Sequence, residues 1–135
     1  MNSDGSRNPD YGQYVVRMKL RTKSFALRVI RLCRKLPKEF VSRVIGGQLL
    51  RAGTSVGSNY RAACRARTAR EFTAKIRIVM EEADESHFWL ELIAEAEILP
   101  TALLTPLTAE AAELVAIFTS AHAKATQRSR KRSAD

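Results

Sequence analysis

The sequence is poor in cysteine and in helix breakers, and it has no long apolar run. Each shortage narrows what the chain can be. Only Cys33 and Cys64 occur, each in the middle of an apolar helical pattern. That placement predicts two reduced, buried thiols and argues against a disulfide scaffold or a metal site. Six glycines and four prolines, beside 45% hydrophobic and 27% charged residues, indicate a globular chain, not a disordered one. No run approaches the roughly 20 apolar residues that cross a bilayer. The opening MNSDGSRNPDYGQY has no apolar core of the signal-peptide kind, so the cytoplasm is the expected compartment. Strand signals, glycine-rich linkers and internal repeats are also missing. With 135 residues, one domain large enough to bury a core unaided is expected.

Charge of one sign is missing from a third of the chain. Residues 78–121 hold nine Asp/Glu and no Lys or Arg, whereas residues 1–77 hold 18 Lys/Arg against 4 Asp/Glu. Residues 122–135 add five basic and one acidic residue, and the whole carries +9. An excess of this size favours polyanionic partners, RNA or DNA, through salt-sensitive attraction. Two uses of the asymmetry stay open. Basic and acidic helices can complement each other within and between subunits. Alternatively, Arg61, Arg65, Arg67, Arg70, Lys75 and Arg77 form a surface reserved for phosphates.

What is present is helical periodicity. Residues 1–17 read as a polar arm, 18–126 as the bundle and 127–135 as a basic, frayed tail. In the first helix, about 18–36, Phe25, Val29, Cys33 and Leu36 form the apolar stripe, and Pro37 ends it. Over 39–64, Val41, Val44, Ile45, Leu49, Ala52, Val56, Tyr60 and Ala63 keep the period despite four glycines. One helix is expected, with two helices broken at Gly46–Gly47 as the alternative. Gly53 and Gly57, four apart, would let a neighbouring helix approach closely. Thr68 and Glu71 have capping-box spacing and start a third helix of about 30 residues, which runs to Pro100. Residues 101–105 read as a connection, with Thr108 capping a fourth helix over about 107–126. Four amphipathic helices joined by short connections predict an all-α, antiparallel up-down-up-down four-helix bundle.

The third helix carries a second apolar face. Phe72, Ile76, Val79, Ala83, Leu90 and Ala94 share the core stripe. Ile78, Phe88, Trp89 and Leu92 fall largely on other sides, where bulky groups mark protein contacts. A homo-oligomer with these four residues at or near its interface is expected. On the second helix Arg51, Ser55 and Asn59 lie four apart, and a structural polar network with Glu82 and Glu85 is expected.

No catalytic apparatus is legible. Asp84, His87 and Glu91 share part of a helix face, but a di-iron bundle site needs a second carboxylate–histidine pair on a facing helix. His122 has Thr119 three positions before it. Ser55 has no base beside it in any recognisable pattern. Gly53-x-x-x-Gly57 lacks the Gly-Lys-Ser/Thr of a phosphate loop. Neither an enzyme, nor a metal, nor a cofactor is expected.

The stretch RAGTSVGSNYRAACRARTAREF followed by EEADESHFWLEL resembles the four-helix-bundle proteins first noticed in intervening sequences of large-subunit ribosomal RNA genes. The similarity extends to LRTKSFALRVIRLCRKLPKEF and ELVAIFTSAHAKATQRSR, so it covers about residues 18–130. Ser55, Gly57 and Asn59, combined with Glu82 to Glu85, carry it most specifically. The resemblance implies a ring-like homopentamer of antiparallel four-helix protomers. It also implies kinship with the accessory protein of diversity-generating retroelements, a basic pentamer that binds nucleic acid and a reverse transcriptase. Ala62-Ala63-Cys64 stands where many relatives have an acidic residue, which weakens any network that needs that charge. The expected function is therefore non-enzymatic: a homo-oligomeric bundle that binds nucleic acid, RNA in the first instance, through its basic surface. The alternative is a protein–protein assembly or adaptor module with no nucleic-acid role.

Overall fold

Apolar residues recurring every three or four positions form four helices: α1 (Pro9–Cys33), α2 (Phe40–Cys64), α3 (Ala69–Glu95) and α4 (Thr101–Ala134). The computed structural model describes the backbone of residues 9–134 and the side chains of 10–131, with no strand among them. Helices adjacent in sequence pack side by side, while α1 meets α4 only lightly. The bundle is therefore all-α and antiparallel, with one thin seam. Its core holds Phe25, Val29, Leu49, Val56, Ile76, Val79, Leu90, Ile93, Leu104, Leu114 and Phe118, all essentially buried.

Close packing of α1 on α2 depends on missing side chains. A Cβ at Gly53 would lie 2.8 Å from one Val29 methyl and 2.9 Å from the other, and one at Gly57 would lie 3.4 Å from the Thr22 backbone. Thr22 is fully buried there, its hydroxyl donating to the Met18 carbonyl at 2.8 Å. The two glycines are the places where α1 rides on α2, and α2 runs unbroken through all four of its glycines.

Helix ends differ from the expected ones at both ends of α1, at the end of α3 and at both ends of α4. α1 starts at Pro9, so residues 9–17 extend the helix and are not an arm. Proline suits a first helical position because its missing N–H would have had no partner there. Residues 1–8 lie outside the described residues. α2 is capped by Glu39, whose carboxylate accepts from the Ser42 amide at 2.8 Å and the Val41 amide at 3.2 Å. That start turns the buried stripe onto Ser42, Gly46, Leu49, Gly53, Val56 and Tyr60, and Val41 and Val44 face outward, each about half exposed.

α3 stops at Glu95, before Pro100. Glu97 adopts φ 58°, the Ile98 amide reaches the Ile93 carbonyl at 3.0 Å, and the Glu97 amide reaches Ala94 at 3.1 Å. This is a Schellman ending with glutamate where glycine is usual. α4 begins at Thr101 and carries Pro106 inside it. Proline within a helix costs about 3 kcal/mol. Burying Leu104 and Leu107 on either side, at roughly 1.5–3 kcal/mol each, offsets that. α4 also continues through the basic segment that was expected to fray.

By length and composition α4 is the one described helix apolar enough to cross a membrane. Its Leu104, Leu107, Ala111, Leu114 and Phe118 instead line the bundle core. Its Glu110 and Glu113 are held by Arg21 of α1.

Candidate nucleic-acid interface

The topology brings one group of arginines to one end of the bundle, while Arg31, Arg34, Lys35, Lys38 and Arg43 lie exposed toward the other. The α2–α3 turn, the start of α1 and the last turns of α4 share one end. Arg61 lies in the last turn of α2, Arg65 is its C-cap, Arg67 stands in the turn, and Arg70 opens α3. All four are exposed; Lys75, one turn further on, is half-buried, and Arg77 is exposed. Thr68 holds the turn in shape by accepting from the Glu71 amide at 3.0 Å. Two of the six cations have acidic neighbours on their own helical path. Arg77 donates to Glu81 at 3.2 Å, and Arg67 lies 4.0 Å from Glu71. Arg61, Arg65, Arg70 and Lys75 form no ion pair among the described residues. Arg61, Arg65, Arg67 and Arg70 thus gather at one end, whereas Lys75 and Arg77, two residues apart on α3, lie on different sides of that helix.

Elsewhere the two charge halves meet. Arg51 of α2 donates to both oxygens of Glu82, at 3.3 and 3.2 Å, and to Glu85. Glu85 also accepts from the Trp89 indole N–H at 3.1 Å. Trp89 first, and Arg51 after burial is set against it, hold the Glu85 carboxyl below its usual range. Ser55 and Asn59 do not join this network. Their short side chains bond backwards along their own helix, Ser55 to the Arg51 carbonyl at 2.7 Å and Asn59 to the Ser55 carbonyl at 2.9 Å.

A second bridge has no counterpart among the residues singled out from sequence. Arg21 of α1 clasps Glu110 through two bonds, at 2.8 and 2.7 Å, and reaches Glu113 at 2.8 Å. Glu110 first, with Glu113 helping, raises the Arg21 pKa against the cost of burial. Only the charge asymmetry hinted at it, since spacing along one helix carries no signal for a partner 89 residues away.

The apolar outer face is wider than expected. Phe88 is half exposed and stacks edge-on against Trp89, with centroids 5.1 Å apart. Trp89, Ile78 and Leu92 are half-buried, and Trp89 packs against the core. The most exposed large apolar side chain is Phe40, at 74%, followed in α2 by Val41 and Val44. All three lie toward the end of the bundle opposite the arginine cluster.

His87 lies 3.5 Å from Glu91, Asp84 is exposed, and no metal-competent group of three ligands occurs among the described residues. Cys33 is free, donates to the Gly46 carbonyl at 3.6 Å, and is pushed up to about 11 by burial.

Residues 16–120 match the family of the 23S rRNA-intervening sequence protein. The chain belongs to that family. A crystal structure of a protein of unknown function, from the S23 ribosomal protein family of Bacteroides thetaiotaomicron, is 31% identical. It superposes with a TM-score of 0.71 over 77% of this chain and 96% of that one. No curated protein matches the chain. The matched span of the 23S rRNA-intervening sequence family takes in α2, α3 and the Arg51 bridge, while the start of α1 and the last turns of α4 lie beyond it.

Proposed function

We propose that this protein is a non-enzymatic, homo-oligomeric helical bundle that binds RNA through the basic end of each protomer. The observation that carries the reading is the set Arg61, Arg65, Arg70 and Lys75, exposed or half-buried and without ion-pair partners among the described residues. The acidic residues that could have neutralised them are engaged elsewhere, Glu82 and Glu85 by Arg51, Glu110 and Glu113 by Arg21. Uncompensated cations at one end bind phosphates by counterion release, with little sequence preference. Arg67 and Arg77 join them once their solvent-exposed carboxylate neighbours are outcompeted. The pentamer implied by the resemblance is the assembly we assign, about 75 kDa for five chains of 15.1 kDa. Two free, half-buried thiols fit the reducing cytoplasm.

A filter-binding titration with a structured RNA tests this. Affinity falls log-linearly with salt, with a slope of roughly 0.7–0.9 per phosphate contacted. Charge reversal at Arg65, Arg67 and Arg70 together abolishes binding while the circular dichroism spectrum stays helical. Absence of binding at low salt removes the proposal.

The exposed Phe40, Val41 and Val44 favour a second reading, an adaptor whose partner is another protein. In that case charge reversal leaves partner binding intact and serine substitution at Phe40 removes it.

A further inference from the structure

The thin seam between α1 and α4 opens into a cleft at the basic end. Its volume is about 530 Å³, inside the roughly 300–1,000 Å³ range of ligand-binding clefts. Tyr11 and Tyr14 stand on the α1 side, 38% and 37% exposed. Tyr60 and Phe72 form part of the floor, Tyr60 almost wholly buried and Phe72 half-buried. Lys124 and Arg128 of α4 complete the lining, and among the described residues no carboxylate takes part in it. Two half-exposed phenol rings beside two cations are unusual in a chain whose other aromatic residues, apart from Phe40 and Phe88, are mostly buried in packing.

The geometry points to a single-stranded RNA site in this cleft, with an unpaired base stacked against Tyr11 and Tyr14 and its flanking phosphates on Lys124 and Arg128. The inference rests on the RNA-binding reading above and adds to it. The arginine cluster holds any phosphate backbone, whereas the cleft distinguishes a strand with splayed-out bases from a duplex. Every base has a π-face, so stacking on aromatic rings tolerates any sequence. Duplex RNA keeps its bases stacked on each other and offers nothing to insert. The charge is complementary as well. A cleft with two cations and, among the described residues, no carboxylate attracts a phosphodiester flank.

The test is fluorescence anisotropy at low salt with a labelled oligouridine of roughly 12 nucleotides, within the usual 4–16 nucleotide footprint. A ribose–phosphate strand of the same length without bases serves as the comparison. The intact strand binds roughly tenfold more tightly, the gain of one good stack. Replacing both tyrosines, Tyr11→Leu with Tyr14→Leu, keeps an apolar side chain at each position without a ring and removes that tenfold while leaving the abasic affinity unchanged. Lys124→Gln with Arg128→Gln weakens both strands alike. Equal affinity of the wild-type protein for the intact and abasic strands overturns the stacking site and leaves the phosphate reading standing; this comparison needs no variant to fold. Absence of binding by either strand removes both readings. An oligothymidylate of equal length that displaces the RNA at lower concentration overturns the assignment to RNA.

Discussion

Alanine in place of glycine at four positions of α2 gives a sharp test of how α1 and α2 pack. Each substitution gains the same helix propensity, about 1 kcal/mol for an interior glycine. The gain is therefore a constant, and differences between sites report the space around the new methyl. At Gly47 nothing lies within 4 Å, so Gly47→Ala should stabilise by close to the full amount. At Gly57 the methyl would meet the Thr22 backbone and hydroxyl at 3.4 Å, an ordinary contact, and a smaller gain should remain. At Gly46 it would lie 2.5 Å from the far end of the Leu36 side chain, which is half-buried and can swing.

Gly53 is different. Both Val29 methyls would fall within 3 Å of the new carbon and the Val29 Cβ at 3.2 Å. Valine in a helix has essentially one χ1 rotamer, so it cannot turn away. The helices must separate or strain, and such overpacking costs about 1–3 kcal/mol. Gly53→Ala should therefore fall below Gly47→Ala by that difference, ending between neutral and roughly 2 kcal/mol destabilised. Urea unfolding followed by helical ellipticity measures all four. Val29→Ala combined with Gly53→Ala should be less damaging than the sum of its parts, because the removed methyls are the ones in collision. If Gly53→Ala stabilises as much as Gly47→Ala, the interhelical distance is not set by the missing Cβ.

Three further predictions follow from particular residues. Glu97→Gly should stabilise by roughly 1 kcal/mol, the approximate cost of a left-handed residue with a side chain, read as a rise in the urea midpoint. Stability should hold between pH 7 and about 5 and fall below about pH 4. The Glu39 carboxyl, held down by the Ser42 hydroxyl and amide, and that of Glu85, held down by Trp89 and Arg51, both sit below their unfolded values in the folded state, so their contribution is present above the unfolded carboxyl range and lost as pH falls through the folded one. Glu85→Gln should flatten that limb in urea midpoints measured against pH, and an unchanged limb would show that the Trp89–Glu85–Arg51 chain carries no linkage. On the homo-oligomer reading, Phe40→Ser with Val44→Ser should lower the mass seen by light scattering across a dilution series without loss of helicity, since both side chains already face water in the protomer; an unchanged mass assigns the patch to the adaptor reading instead.

The architecture was legible because it rests on repetition. Period-3.6 stripes with small residues at Gly53 and Gly57 are local patterns, and they located α2 despite its glycines. What escaped was decided by single long-range or end effects. Val41 and Val44 fit the helical period but lie off the buried stripe, because the stripe runs one residue over, through Ser42 and Gly46. The end of α3 depends on a left-handed glutamate, for which sequence has no signal comparable to glycine. Pro106 reads as a boundary, yet the buried leucines flanking it keep the helix intact. Tyr11 and Tyr14 looked like part of a polar arm. Extension of α1 back to Pro9 sets them on the α4 cleft, beside cations that are more than a hundred residues away in sequence.

The placement of charge and apolar surface also constrains how copies can meet. Copies brought together at the arginine end would oppose Arg61, Arg65 and Arg70 with few acids near them, Asp10 and Glu71 among the described residues, and like charges facing each other cost association free energy. Contact through Phe40, Val41 and Val44 would bury apolar surface beside Lys38 and Arg43 and leave each Arg61–Arg70 cluster facing solvent. In such an assembly the phosphate sites are tethered at fixed spacing. A polyanion that reaches two of them binds the second at high effective concentration, so weak single contacts sum to useful avidity. Duplex regions would be held by the arginines, and unpaired stretches additionally by the tyrosine cleft. On this arrangement the contact through Phe40 does not compete with RNA for the Arg61–Arg70 cluster, and assembly would strengthen binding without adding a contact at that cluster.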